Sequence, residues 1–125
     1  MAIQLNTTVA NEILNSLFKN SAFTPKTAYL ALFDGVTEVT NTLTGSNRPQ
    51  VWGVDTPATG TLNNAADFQV VASAAAAADV DGVQIFDAAT GGNALTIKKS
   101  ITSQSYNLGD EVLITAGNLE FTFNV

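Results

Sequence analysis

Apolar residues recur every fourth position at Val9, Ile13 and Leu17, with Ala10, Leu14 and Phe18 beside them and Glu12, Asn15 and Lys19 opposite. That period predicts an amphipathic helix over residues 8–19. Thr8 is its expected N-cap, Glu12 and Lys19 are expected to complement the two ends of the helix dipole, and Asn20 is suited to ending it. Three turns are too short to hold in water alone, so the apolar stripe must dock either on the chain's own sheet or on a neighbouring subunit.

From residue 27 onward the period shortens to two. TAYLALF, residues 27–33, is apolar on both alternating faces, which predicts a strand covered on both sides. Val83, Ile85 and Phe86 form a β-branched and aromatic run of core type. The reversal after it, DAATGGN at 87–93, combines two glycines with Asp and Asn side chains able to close backbone turns. Leu95, Ile97 and Ile101 then alternate with Thr96, Lys98 and Thr102, which predicts a returning strand whose inward row is broken by Lys99, an inward charge suited to a sheet edge. This hairpin, residues 82–101, is the expected centre of the sheet.

Shorter strands are expected around it. They fall within 36–39, 50–54 (bounded by Pro49 and Pro57), 61–72 (around Phe68 and Val70), 112–115 and 119–125, where Leu119, Phe121, Phe123 and Val125 alternate strictly with polar residues. Residues 74–78 read as a close-packed connector, and 106–110 and 116–118 as turns. Short strands with turns every 8 to 12 residues predict a mainly β fold. The expected form is an antiparallel β-sandwich or jelly-roll-like barrel with one short N-terminal amphipathic helix, all in one domain, 1–125, with the strands over 27–125.

Composition then removes most chemistry. The chain has no cysteine and no histidine, which excludes disulfides, thiol nucleophiles and imidazole bases. A net charge of −6 with only five basic residues opposes nucleic-acid binding. No segment approaches the ~20 apolar residues of a membrane span, and the start MAIQLNTTVANEIL lacks a secretory signature, so a soluble chain is expected. Charged residues make up 13%, about half the usual ~25%. A surface of neutral hydroxyl and amide groups suits a protein packed against others or exposed outside a cell.

Serine–lysine or paired-carboxylate catalysis is the remaining option. The glutamates at 12, 38, 111 and 120 fall on a helix face, a loop, a turn and an outward strand row, all ordinary solvated places, and nothing in the pattern buries Lys98 or Lys99. Asp79-Val80-Asp81-Gly82 opens like a calcium loop but lacks that motif's third acidic position and distal glutamate. No glycine-rich phosphate loop follows a strand. No enzyme activity, cofactor or metal is expected.

The candidate contact residues are Arg48 and Trp52. Trp52, the single tryptophan, is either core filling or an interface anchor. Arg48, the single arginine, reads by default as a solvated side chain. The Thr/Asn/Gly-rich stretch 37–47 is a long loop suited either to partner contact or to ordered packing.

Three stretches carry a family resemblance: NEILNSLFKNSAFTP leading into TAYLALF, then GVQIFDAATGGNAL, then NLGDEVLITAGNLEFTF. The chain resembles, over most of its length, a family of small tailed-bacteriophage virion proteins of short tail-fibre-like or head-decoration type. NRPQVWGV departs from the aromatic-Ala-Arg-Gln stretch of that pattern, so Arg48 and Gln50 alone carry over, and the Trp-Gly before Gly82 is missing. The resemblance implies an assembly role in the virion, built in the host bacterial cytoplasm, with subunits grouped in threes. The expected function is a capsid decoration (cement) protein bound to the major capsid protein or other virion proteins. The alternative is a tail-fibre or tail accessory protein contacting the host surface.

Overall fold

The computed structural model describes residues 2–39, 48–51, 61–63, 68–71, 78–106, 110–114 and 120–122. In chain order these form β1 (Ala2–Gln4), α1 (Thr7–Phe18), β2 (Tyr29–Asp34), β3 (Thr37–Glu38), β4 (Thr61–Asn63), β5 (Phe68–Val71), β6 (Ala78–Phe86), β7 (Lys99–Tyr106), β8 (Glu111–Ile114) and β9 (Glu120–Thr122). The protein is mainly β, with one N-terminal helix among the described residues.

The principal sheet is an open, four-stranded antiparallel one in the order β3-β2-β6-β7. Leu30, Ala31 and Leu32 are buried in succession on β2, as a strand covered on both faces requires. β2 lies against β6 with Tyr29 opposite Phe86 and Leu32 opposite Val83. Val80, Val83 and Ile85 are each 1% exposed and join Leu30, Leu32, Val51, Leu95 and the helix residue Val9 in one core. The expected sandwich or barrel closure is not among the described pairings. The smaller ladders are β5-β8, antiparallel, and β1-β9-β4, in which β1 runs parallel to β9. That parallel pair departs from the expected all-antiparallel order. A three-residue strand has too few alternations to show a period, which is why β1 carries no readable signal.

Several expectations change at the central hairpin. β6 starts at Ala78, the last residue of the expected 74–78 connector, and Asp79-Val80-Asp81-Gly82 continues it as strand, with a register shift between Val80 and Gly82. Asp81 Oδ1 accepts from the Gly35 N–H at 2.9 Å, and Asp79 Oδ1 accepts from the Ser105 hydroxyl. The reversal 87–93 forms as expected, with Gly91 and Gly92 at φ of 60° and 71° and the Asp87 carboxylate accepting from the Asn93 N–H at 2.7 Å.

The return is not a simple ladder. Ala94 bridges Phe86 and the Leu95 N–H donates to the Ile85 carbonyl, but Thr96 then turns inward. Its hydroxyl accepts from the Ile85 N–H at 3.0 Å, and only from Lys99 does regular pairing with β6 resume. Thr96 is therefore 2% exposed and Ile97 48% exposed, the reverse of the expected rows. Lys99 is exposed rather than inward, although β7 does form the edge of the principal sheet.

The other edge, along β2, is shared. β3 returns from β2 through Gly35 and Val36, a two-residue reversal with the glycine at φ 58°, and Val39 N–H donates to the Leu32 carbonyl. Residues 49–51 continue along the same edge: Leu30 N–H donates to the Pro49 carbonyl at 2.9 Å and Val51 N–H to the Ala28 carbonyl at 2.8 Å. A single bridge, Tyr29 to Gln50, is all the described strand character of the expected 50–54 element. Pro49 has no N–H to offer, so it fits only at such an edge.

Candidate docking surface

The helix is fixed at its N-terminal end. Asn6, not Thr8, is the N-cap: its Oδ1 accepts from the Val9 N–H at 2.9 Å. Asn6 also donates its backbone N–H to the Leu95 carbonyl at 3.0 Å and its side-chain amide to the Ala94 carbonyl. Leu5 bridges Thr96, and the Ile97 N–H donates to the Gln4 carbonyl at 3.0 Å. The segment that returns from the glycine reversal thus holds the start of α1 against the core.

The far end of the helix is not so held. Asn20 takes φ 54°, and the Lys19 and Ser21 N–H groups both fold back on the Asn15 carbonyl, so the chain stops as expected. No acidic residue lies in the first turn, so the expected dipole role of Glu12 does not hold, while Lys19 is the C-cap itself, at the negative end as expected. Glu12 instead meets Lys26 at 3.2 Å. Val9 is buried and Ile13 packs on the core, while Leu14, Leu17 and Phe18 are 46%, 69% and 80% exposed, with Phe23 38% exposed beyond the cap. The stripe is therefore divided: its first half docks on the chain's own sheet and its second half does not.

Beside the helix start lies a cleft of about 290 Å³ lined by Asn6, Thr8, Glu12, Lys26, Asp87 and Asn93 among others. Its acidic groups are already engaged. The Asn93 backbone N–H holds the Asp87 carboxyl below the usual carboxylate range, with further help from the Asn93 amide and the Lys26 charge. Among the described residues, no group of three or more acidic side chains is placed to hold a metal ion.

Arg48 is not a solvated side chain. Its guanidinium sits 3.8 Å over the Phe86 ring and pairs with Glu38 through Nε to Oε1 at 2.7 Å and Nη2 to Oε2 at 2.9 Å. Nη1 donates to the Ala88 carbonyl at 3.0 Å and the Gly91 carbonyl at 2.6 Å, and the Arg48 backbone N–H donates to the Ala89 carbonyl. Glu38 is accordingly a half-buried partner on β3 rather than a free loop carboxylate. One arginine ties three segments together, because its planar fork matches a carboxylate on one side and turn carbonyls on the other. The available sequence signal was a lone arginine in an ion-poor chain that also carries a carbonyl-rich glycine reversal.

Lys98 lies over the Phe33 ring at 5.2 Å and donates to the Gly35 carbonyl. Glu111 opens β8 rather than lying in a turn, and Glu120 lies on a strand, β9, as expected. Trp52 and residues 40–47 of the expected contact loop lie outside the described residues.

A family model described as podophage GP4 fiber I protein gp80 matches residues 4–122. The chain belongs to this family. As a gp80-family member it is a tailed-phage fibre protein, and so a structural component of the virion. The expected tailed-phage virion class holds. Within it, the family identifies a fibre component rather than a capsid cement protein, the alternative expectation rather than the main one. The helix, the principal sheet and the glycine reversal all fall inside the matched residues. Comparison with curated proteins yields no match.

Proposed function

We propose that this gp80-family chain is a tail-fibre or tail accessory module that binds other virion proteins and contributes to contact with the host surface. The observation that carries the docking part is the open half of α1: Leu14, Leu17 and Phe18 are exposed on one side of the helix, as is Phe23 beyond its cap, while Val9 is held in the core. Large apolar patches of this kind on a small domain mark contact sites. The low proportion of charged side chains keeps the desolvation cost of a broad contact small.

Residues 1–125 act in this reading as one domain whose sheets stack as a sandwich or roll into a jelly-roll-like barrel. The double-sided burial of Leu30, Ala31 and Leu32 supports a second covering layer. The chain works as a homo-oligomer, with three copies the arrangement the family resemblance favours. Trp52 and Arg48 belong to its partner-facing segment, Arg48 by anchoring that segment through Glu38 and the reversal rather than by direct contact.

Immunogold labelling of intact particles tests the assignment. Label on the tail or its fibres, with a handful of copies per particle by quantitative mass spectrometry, is the expected result. Label spread over the head, at hundreds of copies, would overturn it.

A further inference from the structure

We propose that the open face of α1 is a helical seam between copies of this same chain. The inference names the partner of the docking surface proposed above and rests on that reading. It comes from three observations that agree.

The first is width. A helix needs an apolar arc of roughly 100° to sit on a core. The apolar positions of α1 run from Val9 and Ile13, which the core takes up, round through Ala10 and Leu17 to Leu14 and Phe18. At 100° per residue that arc spans close to 180°, nearly twice the requirement. The surplus half is the exposed half.

The second is spacing. Ala10, Leu14 and Leu17 are separated by four and then three residues, the alternation that lets like helices interlock their side chains along a narrow seam, and Phe18 borders it. A second copy of the helix presents matching knobs and holes, so identical chains can interlock on such a seam.

The third is charge. The helix positions flanking the seam are Asn11, Ile13 and Phe18, all uncharged, while Glu12 and the C-cap Lys19 fall on the opposite side, Glu12 committed to Lys26. A chain of net charge −6 repels its own copies. Neutral flanks add no like-charge repulsion at this face, so identical acidic chains can meet on it. The seam is only two turns long, so it acts together with other contacts in the assembled fibre rather than alone.

The chain contains no cysteine, which gives a clean background for cross-linking. Single Leu14→Cys, Leu17→Cys and Lys19→Cys variants are oxidised both as concentrated purified protein and within assembled particles. A parallel seam joins Leu17→Cys to itself, and an antiparallel one joins Leu17→Cys to Leu14→Cys in a mixture. Either is expected to form at least about tenfold faster than the disulfide of the Lys19→Cys control, which faces away. In parallel, Leu17→Asp is expected to shift the sedimentation of the protein toward the monomer without changing its circular dichroism or melting, since Leu17 is exposed.

Cross-linking of the Leu17 and Leu14 variants no faster than the Lys19 control overturns the seam. So does an oligomer untouched by Leu17→Asp, or capture of a different virion protein by Leu17→Cys in particles. Particles that carry the chain on their tails but give no self-disulfide sink the seam alone. A chain missing from particles sinks the fibre reading instead.

Discussion

The Arg48 guanidinium grips the Glu38 carboxylate with two parallel hydrogen bonds, at 2.7 and 2.9 Å, while its remaining face lies on Phe86. The Arg48 side chain is only 8% exposed, so removing either partner leaves a largely buried, unsatisfied group. Arg48→Ala is expected to lower the unfolding free energy by about 2–4 kcal/mol. Arg48→Lys should recover only part of it, since an ammonium cannot reproduce the fork. Urea denaturation of the three proteins measures this, and a loss under about 0.5 kcal/mol, the scale of an ordinary surface change, would mean the tether is idle.

Thr96 supplies a hydroxyl where the β6 ladder lacks a backbone acceptor. Thr96→Val keeps the shape but strands the Ile85 N–H in the core, with an expected cost of about 1–3 kcal/mol. Thr96→Ser keeps the acceptor and should cost less. Faster hydrogen exchange at the Ile85 amide in Thr96→Val, and not in Thr96→Ser, is the accompanying signature.

The two glycines of the reversal should respond unequally. Both have positive φ, but a Cβ on Gly91 meets open space, whereas one on Gly92 comes within 2.4 Å of Asp87 Oδ1 and 2.7 Å of Ala88 Cβ. Gly91→Ala is expected to cost about 1 kcal/mol of backbone strain. Gly92→Ala must also displace the Asp87 turn and should lower the melting temperature clearly further. Equal melting temperatures would contradict this packing.

Asp87 makes the reversal acid-sensitive. Its folded-state pKa is depressed, first by the Asn93 backbone N–H, so its contribution is present above the unfolded carboxylate pKa of about 3.9 and is lost as pH falls through the lower folded value. The melting temperature of the wild-type chain should therefore drop on acidification below about pH 4 more steeply than that of Asp87→Asn. Parallel profiles would remove Asp87 from the account.

Much of the fold was legible in the pattern. The 3.6-residue period located α1 to within a residue, TAYLALF marked a doubly covered strand, and DAATGGN marked a reversal closed by Asp87 and Asn93. The N-cap was misplaced by two residues because Thr7, Thr8 and Asn6 are all competent caps. The choice fell to Asn6, whose amide and backbone also bind the carbonyls of Ala94 and Leu95. Thr96 and Ile97 were interchanged because strict alternation assumes an unbroken ladder, and this one shifts register between Ala94 and Lys99. Of the docking surface, the apolar stripe was legible but its division was not.

By itself, then, the amino-acid order determined what depends on neighbours along the chain: helix and strand periods, the turn chemistry of the glycine reversal, and the lack of histidine and cysteine. The tertiary structure alone decided what depends on which distant segments meet. It set Arg48 between Glu38 and the reversal, β1 parallel to β9, and Val9 and Ile13 inward while Leu14, Leu17 and Phe18 stay open. A side chain's burial is set by the surface that arrives opposite it, and no local period encodes that arrival.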